Sequence, residues 1–185
     1  RALFKNRLEL AYQLFRRHRD RKFAIHLIDL DGFKRVNDAF GHPAGDHLLR
    51  EVAMRIRGLV EESDTVVRLG GDEFLVLQME IAGVENALEL ARRLVEALQP
   101  PIAWEDQLLH VTGSIGVVMP DPDAKEGLHH LLRDADIAMY SAKASGRNRH
   151  VVFAPEMRAT ITERMSLEQE LRTAIEEDHP GLEIW

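Results

Sequence analysis

The chain has 185 residues, 45% hydrophobic and 30% charged, and its 24 Lys and Arg against 31 Asp and Glu leave a formal net charge of −7. That balance suits one fair-sized catalytic or binding domain with an appendage. It argues against a partner nucleic acid, since no basic stripe is present to displace counterions from a duplex. Cysteine is absent, which excludes disulfides and thiolate metal sites, and neither a signal peptide nor a membrane-length apolar run is present, so no membrane contact and a cytoplasmic setting are expected for this segment.

Apolar periodicity predicts a helix over residues 3–19, running into the basic cluster Arg16 to Lys22, which reads as a solvated end favoured by the helix dipole. The nearly continuous apolar run Ala24-Ile25-His26-Leu27-Ile28-Asp29-Leu30-Asp31 then predicts a central strand over 23–29, covered on both faces and ending in acid-Leu-acid. Side chains alternate along a strand, so Asp29 and Asp31 share a face. A short helix over 33–40 and a longer one over 44–60 follow. Next come two β-rich runs on either side of Gly70-Gly71-Asp72-Glu73-Phe74, which predict a hairpin of strands 65–69 and 73–79. Adjacent glycines supply the positive φ that tight hairpin turns demand. Further along, a helix over 84–98, a second hairpin pairing 102–104 with 109–118, a helix over 127–144 and a strand over 150–153 are expected. The alternation of elements predicts an α+β (α/β) fold, a sheet with helices packed on it. His26 reads as a satisfied core histidine, His129 and His130 as helix surface, and Trp104 as a sheet residue.

If the hairpin lies beside the central strand, Asp29 and Asp72 meet, and two carboxylates so close repel unless a cation neutralises them. Oxygen-only ligands, few in number, favour Mg²⁺ completed by water and substrate phosphates. Each motif also has a plainer reading: the turn and Asp29 as solvated acids, Lys34 as a helix-start lysine, Asn37 and Asp46 as turn or N-cap residues, Lys143 and Arg147 as cations at a helix C-terminus.

Taken together, the segment from Asp29 to Asp46 and the turn Gly70-Gly71-Asp72-Glu73-Phe74 resemble the GGDEF domain of diguanylate cyclases, with the likeness running from about Arg1 to about Phe153. The resemblance implies a nucleotide-cyclase-like palm fold with a central, mostly antiparallel sheet. It also implies condensation of two GTP into cyclic di-GMP with release of pyrophosphate, by a homodimer using two Mg²⁺ (or Mn²⁺) per active site. Asp29 and Asp72 match the family's metal-binding carboxylates, with the backbone carbonyl of Leu30 as a further ligand. Asp72 also stands at the family's proton-acceptor position, and Glu73 is expected to support metal or phosphate geometry. Gly32, Phe33 and Lys34 match the phosphate loop, with Lys34 offsetting charge on the reacting phosphates, and Gly70 and Gly71 allow close approach at the turn. Asn37, His42 and Asp46 match positions that hold the nucleoside, and an ionised Asp46 suits guanine, whose N1–H and N2 amino group both donate. Lys143 and Arg147 match cations that reach the triphosphate, although Gly146 between them can redirect the second.

Many family members carry an inhibitory product site, Arg-x-x-Asp, ahead of the turn. Asp64 is present here, but Glu61 stands where the arginine belongs, so that site is expected to be absent. Residues 1–154 are assigned to the GGDEF domain and 155–185 to a linker helix, over 155–178, and the start of a truncated EAL phosphodiesterase domain, with an upstream sensory region in the full-length protein. Two readings stay open: an active cyclase, or a GTP-binding regulatory module that controls the attached phosphodiesterase without cyclase activity of its own.

Overall fold

The computed structural model describes residues 2–121 and 127–158. It divides the chain into two compact units, Arg1–Phe153 and Ala154–Trp185. In the first unit the elements run α1 (Ala2–Arg17), β1 (Lys22–Asp31), α2 (Phe33–Arg57), β2 (Thr65–Gly70), β3 (Glu73–Ile81), α3 (Val84–Leu98), β4 (Ile102–Trp104), β5 (Gln107–Leu109), β6 (Thr112–Val118), α4 (His129–Ala144) and β7 (Arg149–Val152). Of the second unit, residues 154–158 are described and begin a helical turn through the Met157 N–H to Ala154 O and Arg158 N–H to Pro155 O bonds. The rest of the helix expected to residue 178, and the strand-like Leu182 to Trp185, lie outside the described residues.

Every residue of β1 after Lys22 is buried, and this places the strand in the middle of a five-stranded sheet ordered β2-β3-β1-β6-β7. Both neighbours of β1 are antiparallel to it, and only β7 runs parallel to its partner β6, so the sheet is mixed and mostly antiparallel as the family resemblance implies. Alternation then sorts the side chains. Ala24, Ile28 and Leu30 pack with Leu48, Val52 and Ile56 of α2 and Leu94 and Leu98 of α3. Phe23, Ile25 and Leu27 pack on the other face with Phe4, Leu8 and Phe15 of α1 and Leu131 and Met139 of α4. Each of the Leu, Ile and Phe side chains among these contributes about 1.5–3 kcal/mol by leaving water, which anchors the central strand on both faces. Asp29 and Asp31 share the face with α1 and α4, a placement that matters below.

Several expectations are corrected. The central strand extends to Asp31, so both acids lie within the ladder. The helices expected over 33–40 and 44–60 are the two stretches of α2, which meet at Gly41, whose φ of 81° and ψ of 168° break the helical path just before Pro43; the second stretch ends at Arg57, short of residue 60. The second hairpin is shorter than expected: β4 pairs with β5, Trp104 opposite Gln107, in a separate two-stranded sheet. The expected strand over 109–118 is therefore split, and Thr112–Val118 joins the main sheet beside β1. Trp104 is a strand residue, and its ring also meets that of His47, centroids 5.0 Å apart.

His26 is only half satisfied. It is fully buried, its Nε2 lies 3.0 Å from Gln78 Oε1, and its Nδ1 has no protein partner. Burial pushes its imidazole from 6.5 down to about 4, against the Gln78 hydrogen bond and with help from His150. Below pH 6.5 the unfolded chain therefore binds a proton that the fold refuses, and this contribution to stability is lost as the pH falls from 6.5 towards 4. Urea unfolding of the wild type is expected to show a loss of about 2 kcal/mol from this group between about pH 7 and pH 5. His26→Leu removes that slope; an unchanged slope would place the acid sensitivity elsewhere.

Candidate active site

The acidic centre forms where the β2–β3 hairpin ends beside the C-terminal end of β1. Gly71 has φ 52° and Gly70 does not, so one glycine, not both, supplies the left-handed turn residue. Arg68 Nε donates to Gly71 O at 2.9 Å and braces the turn across its mouth. The register sets Asp29 opposite Glu73, and Leu30 N–H donates to Asp72 O at 3.3 Å. Asp29, Asp72 and Glu73 are thus brought together by the ladder itself.

Their electrostatics reflect that crowding. Burial raises the Asp29 carboxyl above the ordinary range, the hydrogen bond and charge of Lys143 oppose the rise, and repulsion from Asp72 and Asp31 adds to it. Glu73 is raised as well, by burial first and then by Asp29, Asp136 and Asp72. Asp136 of α4 was not singled out from the sequence, although it lies seven residues before Lys143 and so on the same helix side.

Two cations answer these acids. Lys143, in the last turn of α4, holds Asp29 with Nζ 2.7 Å from Oδ2. Arg147 lies beyond the helix end, where Gly146 turns the chain, and its Nε is 3.8 Å from Asp31 Oδ1. Both arrive at the acid pair of β1, one by helix geometry and one by the turn.

On the adjoining side, Gly32 has φ 85° and opens α2 with no side-chain cap, which leaves the N–H groups of the first turn for an anion. Phe33 is half-buried against the core, whereas Lys34 is exposed and not drawn to the acids. Arg35 was missed from the sequence: its guanidinium folds back over Gly32, where an added Cβ would meet Nη2 at 2.8 Å. Asn37 packs across the Gly41 kink against Gly45, whose missing side chain makes the room. Asp46 is next in sequence and lines a cleft of about 370 Å³ together with Leu49, Val66, Arg68 and Phe74. His42 is exposed just past the kink and joins neither group.

The sequence family described as "Diguanylate cyclase, GGDEF domain" matches residues 1–149. The chain belongs to the GGDEF domain family of diguanylate cyclases. It is 44% identical over 176 residues to the bifunctional diguanylate cyclase/cyclic di-GMP phosphodiesterase MucR of Pseudomonas aeruginosa, covering 95% of this chain and 25% of that protein. It is 38% identical over 162 residues to the cyclic di-GMP phosphodiesterase NbdA of the same organism, covering 88% of this chain and 20% of that one. Among solved structures, the GGDEF domain of TpbB (YfiN) from P. aeruginosa matches with a TM-score of 0.82 at 39% identity, covering 88% of this chain and 94% of that domain. The chain thus spans a quarter or less of these two curated relatives and nearly all of a GGDEF domain.

Among the described residues, no three or more His, Cys, Asp or Glu side chains converge as a metal-ligand set. Asp29 and Glu73 are register partners, and Asp72 is near enough to repel both carboxylates. No helix among those residues is long and apolar enough to cross a membrane.

The sequence-level product site also has a structural counterpart. Asp64 is buried, and its carboxylate accepts Met79 N–H at 2.8 Å and Glu61 N–H at 2.9 Å. Both oxygens are engaged in holding the loop before β2. The neighbouring cleft is lined by Glu61, Glu80 and Glu89 and by one cation, Arg93; Glu80 is paired with Arg21 and Glu89 with Arg92, so Glu61 stands there in place of the arginine that the site would need.

Proposed function

We propose that this GGDEF domain is a diguanylate cyclase that condenses two GTP into cyclic di-GMP and releases pyrophosphate. The observation that carries the reading is the register that sets Asp29 opposite Glu73, next to Asp72 of the turn, with Lys143 on Asp29; the uncapped start of α2 follows directly after β1, and Asp46 of the same helix lines a cleft. A family member needs these groups in one place, and a solvated turn does not.

The donor set fits a hard divalent cation: oxygen ligands only, a carboxylate pair whose mutual repulsion such an ion would relieve, and too few side chains to close the shell without water and phosphate. Asp29, Asp72 and the Leu30 carbonyl would hold Mg²⁺ or Mn²⁺, two per site as in the family. When bound, such an ion would supply Lewis-acid chemistry, lowering the cost of ionising the 3′-hydroxyl and of developing charge on the pyrophosphate. The chain's own residues do the rest. Asp72 accepts the 3′-hydroxyl proton, and Glu73 supports metal or phosphate geometry beside it. Lys143, Arg147, Lys34 and the N–H groups of α2 balance the triphosphate. Asp46 accepts from N1–H and the N2 amino group of guanine, with Asn37 beside it, and the adenine N1 acceptor would be repelled there.

Each 3′-oxygen forms a bond to the α-phosphorus of the other GTP as the bond to pyrophosphate breaks, so two bonds form and two break. One domain presents one GTP, and two domains facing each other bring the hydroxyls into line. The catalytic species is therefore a homodimer.

A second reading has its own support. In this structure Lys143 sits on Asp29 at 2.7 Å, the position a metal would need, and relative NbdA is named a phosphodiesterase. In that reading the domain binds GTP and controls an attached EAL-type phosphodiesterase. The two are separated by incubating the full-length protein, its phosphodiesterase disabled, with GTP and Mg²⁺ and following dinucleotide and pyrophosphate by chromatography. Cyclic di-GMP in the wild type supports the cyclase; GTP binding without product supports the regulatory module.

The product site gives a separate expectation. Calorimetry with cyclic di-GMP is expected to show no tight binding at the Glu61–Asp64 loop, and adding product is not expected to slow turnover. Micromolar binding that vanishes on Asp64→Ala would contradict this.

A further inference from the structure

Asp31 is the second acid of the pair on β1, yet its carboxylate does not face the cluster around Asp72. It is 8% exposed and surrounded by donors from two other elements. Oδ2 accepts the Thr112 hydroxyl at 2.8 Å and Asn148 N–H at 3.2 Å, and Oδ1 accepts the Ser114 hydroxyl at 2.8 Å, with Arg147 Nε 3.8 Å away. Both oxygens of this carboxylate are engaged by donors of the protein itself.

What it holds is unusual backbone. Gly146, Arg147 and Asn148 follow one another with φ of 114°, 59° and 48°; glycine and asparagine tolerate the left-handed region, whereas the Arg147 side chain disfavours it. The helix end supplies part of the restraint through Gly146 N–H to Lys143 O and Arg147 N–H to Ala142 O. Those bonds tie the segment to α4. The Asn148 N–H to Asp31 bond ties it to the sheet, at the strand that also carries Asp29.

We infer that Asp31 is a positioning residue: it clamps the left-handed turn 146–148 onto β1 and so aims the Arg147 guanidinium at the triphosphate. The inference rests on the nucleotide reading of the site above. Thr112 and Ser114 of β6 serve the clamp by fixing the carboxylate's rotamer, and Arg147 meets it twice, through the neighbouring amide and through its own side chain. Asp29 and Asp31 thus divide the work, one at the reacting centre and one holding the cation that serves it.

The test uses full-length protein and the variants Asp31→Asn, Asp31→Ala, Arg147→Ala and the double variant Asp31→Ala/Arg147→Ala. Hydrogen exchange on the nucleotide-free protein is expected to accelerate about tenfold or more at the Asn148 amide in Asp31→Ala, while the amides of α4 and β6 stay protected. GTP affinity is expected to fall about tenfold in Asp31→Ala and in Arg147→Ala, with no further loss in the double variant. Guanosine affinity is expected to stay unchanged, because the base and ribose do not use the arginine. Asp31→Asn, which keeps an acceptor oxygen, recovers part of the loss. Unchanged exchange at Asn148, or additive losses in the double variant, would overturn the inference. A wild type that binds no GTP, while Asn148 exchange still responds, would refute the nucleotide reading and leave Asp31 a purely structural clamp, which also overturns the positioning claim. Global loss of protection in Asp31→Ala, with Asp31→Asn folded and fully able to bind GTP, would overturn it as well.

Discussion

Asp72→Asn is expected to lower GTP turnover by about 10³-fold or more while leaving GTP affinity within about threefold of the wild type. The substitution keeps the size and one acceptor oxygen of the side chain but removes the charge that accepts the hydroxyl proton and faces the metal. General-base loss alone is worth about 10²–10⁴ in rate, and the lost metal ligand adds to it. The fold should not suffer. Asp72 contributes to the repulsion that raises Asp29 and Glu73, so neutralising it relieves the cluster and the Tm is expected to hold or rise. Pyrophosphate release at saturating GTP, calorimetry for GTP and a thermal melt give the three readouts. Turnover near the wild-type level would remove Asp72 from the chemistry.

The second large effect is on the frame. Gly116 lies in the middle of β6, opposite Leu27 of β1, and α4 crosses it so closely that an added Cβ would land on Ala135 O and Met139 N and within 3.0 Å of Met139 Cα. These are backbone atoms of a packed helix and cannot rotate away. Gly116→Ala is therefore expected to cost about 3 kcal/mol or more, a Tm loss of roughly 6–12 °C for a domain of this size. Because α4 also carries Lys143, the variant is expected to lose GTP binding before it loses its secondary structure. Two glycines serve as controls. At Gly113 a Cβ would meet Leu98 Cδ1 at 2.5 Å, the end of a side chain that can turn aside, so Gly113→Ala should cost less, about 1 kcal/mol. At Gly83 nothing lies within 4 Å and the backbone is extended, so Gly83→Ala should be close to neutral. Equal Tm values for Gly116→Ala and Gly83→Ala would contradict the close crossing of α4 over β6.

Where the signal is local, the sequence reading and the structure agree. The apolar run ending in Asp29 and Asp31, and the turn at Gly70 and Gly71, carry their own periodicity and turn chemistry, and the structure pairs them as expected. Helix α3 likewise announces itself, with Gly83 before it and two prolines after it. The split of the run after Leu109 was not legible: no glycine or proline interrupts Leu109-His110-Val111-Thr112, and the break is set by the turn at Glu105 and Asp106, which closes the hairpin early. The double duty of the acid pair was not legible either. Alternation puts Asp29 and Asp31 on one face, but their fates depend on which donors arrive from elsewhere, Lys143 for one and Thr112, Ser114 and Asn148 for the other, about 80 to 120 residues downstream. Strand periodicity fixes the side a carboxylate faces, and long-range packing decides what it does there.

The central claim, that Asp29 and Asp72 jointly hold a divalent cation beneath a triphosphate, is tested most directly by a crystal structure with Mn²⁺ and a non-reacting GTP analogue. The account predicts anomalous density at about 2.1 Å from carboxylate oxygens of both residues, with Lys143 displaced from Asp29 onto phosphate. Nucleotide bound with no metal between the two aspartates, and Lys143 still paired with Asp29, would contradict it.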